Sequence, residues 1–171
     1  MSNIIKSNNA FPKVLLIGLS LLLFSSVISC DSRAQERQLI IDYIDTMMPV
    51  MGAHADWYED QNILFRTSDP DYSEFMTELR DLLDRIEEIY MDVNTSIPPQ
   101  TMREFKKSWK RECELCILAV GKLLQALDEE NLDLAFEAQE LMFEANDVKD
   151  EGNEKLLDLL IEYNIDINDI E

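Results

Sequence analysis

Glycine, proline and histidine are scarce in this chain: four, five and one among 171 residues. So few turn-formers exclude a β-sandwich or barrel with its many tight connections. They favour long helices built from the abundant Leu, Glu, Asp, Ile and Met. One histidine and three cysteines are too few for a structural zinc site, because the first cysteine lies beside the N-terminal apolar block. The paired Glu-x-x-His motifs of di-iron bundles are missing, and so is the glycine-centred EF-hand loop. Phosphate loops, dinucleotide fingerprints and nucleophile elbows are absent as well. The expectation is a protein that is not an enzyme and carries no cofactor.

Basic residues are the other shortage. Lys6 and Lys13 are the only charges in the first 29 residues, which leaves 13 basic against 35 acidic residues in the rest, a net charge of −22. Such a surface is repelled by nucleic-acid phosphates and by anionic headgroups, which excludes nucleic acid as a partner and favours cationic ones. The plainer reading is that acidic faces keep helices solvated. Glu87 with Glu88, and Asp128 through Glu130, read as such solvated faces.

What is present begins with an address. Lys6 and Lys13 precede an uncharged, mainly apolar run from Val14 to Ile28, and a polar stretch follows Cys30. The run is 15 residues, short of the roughly 20 that span a bilayer as a helix, so it reads as a signal peptide over residues 1–29. Val27, Ile28, Ser29 and Cys30 resemble the lipobox of bacterial prolipoproteins, with Val27 where leucine is usual. The resemblance covers about the first fifth of the chain. It implies cleavage before Cys30, a diacylglycerol thioether on the Cys30 sulfur, and localisation to the cell envelope, membrane-anchored by lipid on the exported side. Asp31 is similar to the signal that retains lipoproteins in the inner membrane of some Gram-negative bacteria.

After a tether at residues 30–37, apolar residues step by three and four. Tyr72, Phe75, Leu79, Leu82, Ile86, Ile89 and Val93 predict one helix, with Ser68 and Asp69 as cap candidates and Pro70 at its first position. Ile40, Ile44, Met47, Met51, His54 and Tyr58 predict an earlier one, continuing through Gln61 to Phe65, with a kink or break near residues 46–52 where Pro49 removes a backbone donor. A third follows Thr101 and Glu104, spaced as a capping box, and runs through Met102, Phe105, Trp109, Cys113, Cys116, Val120, Leu123 and Leu127. In a fourth, Ala138, Ala145 and Gly152 repeat every seven residues and invite close approach of a neighbour. Short links between four amphipathic segments predict an all-α, antiparallel four-helix bundle over residues 38–163, with an acidic, frayed tail at 164–171. Such a bundle is either monomeric or buries a leftover stripe in a dimer.

Two features invite chemistry. Cys113 and Cys116 form a C-x-x-C, but about three turns inside a helix rather than at the N-terminus where a dipole would lower a thiol pKa. They read first as buried small hydrophobes and second as a disulfide within one helix. His54, among Met47, Met51, Trp57 and Tyr58, is a weak candidate cofactor ligand. A core histidine bonded to Gln61 or to a tyrosine hydroxyl is the commoner arrangement. The functional expectation is a membrane-tethered interaction module for a protein or cationic peptide. The alternative is a cofactor-binding or thiol-redox bundle.

Overall fold

The computed structural model describes residues 11–66 and 71–170, with the side chains of residues 11–31 and 167 outside that description. Expectations for the side chains of Val27, Ile28, Ser29 and Cys30, and for Ser68, Asp69 and Pro70, fall outside the described residues. The chain divides into two compact units, Met1–Gln38 and Leu39–Glu171. The first is helical over its described residues. The second is a helical bundle, and it carries everything that follows.

Four α-helices occur among the described residues, with no strand: α1 (Phe11–Arg66), α2 (Tyr72–Thr95), α3 (Arg103–Asp128) and α4 (Leu132–Glu162), with short 3-10 turns at Gln100–Met102 and Ile167–Asp169. The all-α expectation holds. Among the described residues no helix is long and apolar enough to cross a membrane.

The core follows most of the predicted stripes of α1, α2 and α3, but Phe65 and Tyr72, at the end of α1 and the start of α2, are 46% and 59% exposed, and Trp57, Leu64, Met76 and Leu115 are buried outside the stripes. Ile40, Ile44, Met47, Trp57 and Leu64 of α1 are buried, as are Leu79, Leu82, Ile86, Ile89 and Val93 of α2 and Phe105, Trp109, Cys113, Cys116 and Val120 of α3. Cross-helix contacts fix the helices against one another. Trp57 donates its indole N–H to the Leu82 carbonyl at 2.7 Å, and Tyr43 shares a 3.0 Å hydrogen bond with Ser96. The Phe65 and Phe75 rings meet edge to face. Between α2 and α3, Lys106 donates to the Asn94 and Ser96 carbonyls at the helix end, and the Tyr72 hydroxyl reaches the Leu127 carbonyl. Arg111 and Lys122 of α3 pair with Glu144 and Glu137 of α4.

Several local expectations are corrected. Helix α1 runs without a break through Pro49. An internal proline costs about 3 kcal/mol of helix stability, and the burial of Ile44, Met47 and Trp57 on both sides of it outweighs that cost. The cap of α2 is Asp71, whose carboxylate accepts from the Ser73 and Glu74 amides. Helix α3 is entered through a 3-10 turn, so Met102 rather than Thr101 occupies its N-cap position, with no side-chain cap bond. Residues 164–170 do not fray. Asn164 adopts a left-handed conformation (φ 51°), the Ile165 amide bonds back to the Leu160 carbonyl and the Asn164 amide to that of Ile161, which is a Schellman closure with Ile165 buried. Glu130 (φ 52°) ends α3 in the same way through Asn131 and Ala126.

Candidate functional site

The small-residue stripe positions the site. Ala138, Ala145 and Gly152 are the buried residues of α4, and a Cβ added at Gly152 would lie 3.4 Å from the Cβ of Ser108 on α3. That close approach brings α4 onto α3 beside α1, and the three helices enclose a solvent-open cavity of about 420 Å³. Phe105, Trp109, Met51 and Leu156 wall it, while His54, Tyr58, Glu112 and Lys149 bring polar atoms to it.

His54 and Glu112 are the centre of this group, at 9% and 3% exposure. Trp109 Nε1–H donates to His54 Nδ1 at 3.1 Å. An indole nitrogen can only donate, so Nδ1 must be unprotonated and the neutral ring carries its hydrogen on Nε2. Protonating Nδ1 would set two donors against each other. Burial, with Lys149 nearby as a lesser cause, lowers the His54 pKa to about 4. Its Nε2 lies 3.4 Å from Glu112 Oε1 without forming a hydrogen bond, so that atom is buried with no hydrogen-bond partner among the described residues.

Glu112 Oε1 instead accepts the Tyr58 hydroxyl at 2.8 Å. Burial raises the Glu112 pKa to about 7, against the opposing pull of the Tyr58 hydrogen bond and of Lys149. Burial likewise drives the Tyr58 pKa up. The Lys149 ammonium sits 3.8 Å from the centroid of the Tyr58 ring and bonds to the Asn146 side chain at 3.1 Å. Carboxylate, phenol, imidazole and ammonium thus form one connected group. It holds a proton near neutrality on Glu112 and presents that carboxyl group among aromatic walls.

Cys116 joins the edge of this network, with its sulfur 3.6 Å from the Tyr58 hydroxyl. Cys113 and Cys116 are both free, fully buried thiols. Burial pushes the Cys116 pKa up to about 12 and that of Cys113 higher still, the reverse of what activates a thiol nucleophile. Among the described residues no three His, Cys, Asp or Glu side chains gather as a metal site.

The sequence singled out His54 but misassigned its partner. Gln61 is buried on the same helix but stands seven residues away, about 10 Å along the axis. The Tyr58 hydroxyl is taken by Glu112, and the partner is Trp109 from α3. Glu112 and Lys149 were missed. Glu112 had a legible signal: it lies three residues after Trp109 and four before Cys116, which puts a carboxylate on the apolar stripe of α3. Lys149 had none, since only the packing of α4 carries it to Tyr58. No protein-family model matches this chain, and comparison with curated proteins and with solved structures found no match.

Proposed function

We propose that this chain is an exported lipoprotein, cut before Cys30 and held to a membrane by acyl chains on that residue, whose bundle binds a cationic peptide or protein segment at the envelope. The address rests on Lys6, Lys13, the apolar run from Val14 to Ile28 and the lipobox-like Val27 to Cys30. The proposed arrangement is an antiparallel four-helix bundle. Its support is that contacts run in opposite senses along consecutive helices, from Tyr43 with Ser96 to Trp57 with Leu82 and Phe65 with Phe75. Arg111 with Glu144 and Lys122 with Glu137 run the same way between α3 and α4.

The observation that carries the binding reading is the α1–α3–α4 cavity. Glu112 accepts the Tyr58 hydroxyl on Oε1 and lines the cavity beside apolar walls. An N–H donor on an apolar stem fits that combination: the stem is buried against Trp109, Phe105 and Leu156, and the donor meets the carboxylate. The net charge of the chain, −20, then selects cationic segments among those that present such a group.

Intact mass of the membrane-extracted protein, compared between wild type and Cys30→Ala, tests the anchor. The expected species starts at Cys30 and carries diacylglycerol, and the variant lacks it. An unmodified species starting at Cys30, or an intact chain from Met1, rejects the lipid anchor. Binding of basic peptides is expected to weaken steeply between low and physiological salt, and salt-independent capture rejects the electrostatic selection.

The alternative, a cofactor held by His54, has one observation in its favour: Nε2 is buried and has no hydrogen-bond partner. Absorbance spectra and metal analysis of the purified protein decide it, since a colourless, metal-free protein rejects that reading.

A further inference from the structure

Helix α4 carries apolar residues on two faces, with Leu141, Val148, Leu156 and Leu159 packed against the core. It buries Ala138, Ala145 and Gly152 against the bundle, while Phe136 and Phe143 are 63% and 60% exposed. Leu132, Leu157 and Ile161 are also more than half exposed. At 100° per residue these five large side chains fall within a narrow arc on the outer face, opposite the alanines and glycine. They follow one line from Leu132 to Ile161, about 44 Å of helix. Core packing accounts for none of them.

The charges beside this line are also set apart. Glu137, Glu144 and Glu151, turned toward α3, pair with Lys122, Arg111 and Lys155. Glu140, Asp147, Asp150, Glu154 and Asp158 lie along or just to one side of the apolar line; all five are exposed, and none has a basic partner among the described residues. The opposite flank carries the uncharged Gln139, Asn146 and Asn153. The outer face is therefore two apolar patches, Leu132 to Phe143 and Leu157 to Ile161, separated by Asp150 and Glu154 on the same arc and bordered by uncompensated acids. A second copy packed antiparallel would set acidic border against acidic border, and an anionic bilayer would be repelled. A basic amphipathic helix matches both features at once, its apolar face covering the phenylalanines and its lysines or arginines meeting the border.

We propose that the outer face of α4 is the docking surface for a basic amphipathic helix of a partner protein. This rests on the reading that the partner is cationic, and it adds to the cavity an outer surface on α4 that holds the partner's apolar face. Docking buries Phe136 and Phe143 as the central anchors, with Leu132 and Leu157 on either side. The acids supply orientation and encounter rate, and the rings supply most of the affinity.

The test uses the full chain in zwitterionic phosphatidylcholine nanodiscs. The probe is a dye-labelled synthetic 21-residue peptide with leucine at i, i+3, i+4 and i+7 spacing and lysine elsewhere, and a scrambled peptide of the same composition is the control. Fluorescence anisotropy is read at low and physiological salt. The amphipathic peptide is expected to bind at least tenfold more tightly than the scrambled one. The pair Phe136→Ser and Phe143→Ser is expected to lower affinity at least tenfold. The pair Asp147→Asn and Glu154→Gln is expected to lower it several-fold and to flatten the salt dependence. Met91→Ser, at an exposed position of α2, is expected to leave binding unchanged, and Met51→Trp, which fills the cavity, separates a partner held there from one held on α4.

Equal binding of the two peptides, or full affinity in the phenylalanine variant, overturns the α4 surface. If binding is salt-sensitive but is lost only with Met51→Trp, the cationic reading stands and the partner belongs at the cavity. If neither peptide binds the wild type at low salt, both fall. Two chains per particle by mass photometry, returned to one by the phenylalanine substitutions, would assign the face to a second copy and overturn the proposal. Circular dichroism of the exposed-site variants confirms that they keep the wild-type helix content, so loss of binding reads as loss of the surface.

Discussion

Glu112 sets the behaviour of the site at the scale of single residues. The groups that face it are His54 and Tyr58 from α1, Cys116 on its own helix and Lys149 from α4, with Asp150 on the outer side of α4 adding a like charge. Its folded pKa of about 7 exceeds the ordinary value of 4.5, so the folded state holds this proton more tightly than the unfolded chain does. Its contribution to stability is therefore complete below about pH 4.5 and is lost as pH rises to about 7. His54 acts in the opposite sense. Its folded value of about 4 lies below 6.5, so its contribution is complete above pH 6.5 and is lost as pH falls toward 4. Between about pH 4.5 and 6.5 the two slopes oppose each other. Glu112→Gln removes one of them, and urea denaturation is expected to show stability rising from pH 4 to 6.5 and then level. The variant should gain on wild type by up to about 3 kcal/mol between pH 4.5 and 8. A difference that does not change with pH would mean that Glu112 does not titrate in this range. His54 and the burial of its face were legible from the stepping of α1. The indole that fixes its tautomer was not, because Trp109 is 55 positions away and only the packing of α3 on α1 brings the rings together.

At the scale of elements, the apolar stripes of α1, α2 and α3 were legible because burial is periodic and the period is that of the helix. Boundaries were less so. Asp71, Met102 and Asn164 took positions that nearby residues also suited, since a cap is decided by which side chain meets the open amides once the helix is docked. The outer stripe of α4 was not read, because a helix with apolar residues on two faces shows no single dominant face. Gly152 separates the two roles of that helix. Its added Cβ would sit 3.4 Å from Ser108 Cβ, an ordinary contact, so Gly152→Ala is expected to leave thermal stability unchanged or raise it by up to about 1 kcal/mol through helix propensity. Gly152→Leu has no such space beside α3 and is expected to cost about 2 kcal/mol or more. Equal melting temperatures for the two variants would show that close approach at this point does not hold α4 in place.

The whole molecule is governed by its charge. A chain with 35 acidic residues confines repelling carboxylates in a small volume, and the exposed pairs on its surface contribute little against that. Raising sodium chloride from about 10 to 300 mM shortens the Debye length from roughly 30 to 6 Å and is expected to raise the melting temperature by a few degrees. A melting temperature that falls with salt would mean that the surface ion pairs outweigh the repulsion. The sequence by itself determined the helical class, the apolar stripes and the sign and size of the field, because each is a sum or a period over neighbours along the chain. It also carried the lipobox-like segment, because that pattern is local. Only the tertiary structure decided which helix faces meet. It set Glu112 beside His54, put Lys149 on the Tyr58 ring and turned Phe136 and Phe143 outward, because such pairings depend on which residues of distant helices come within a few ångströms once the small side chains of α4 let it settle against α3.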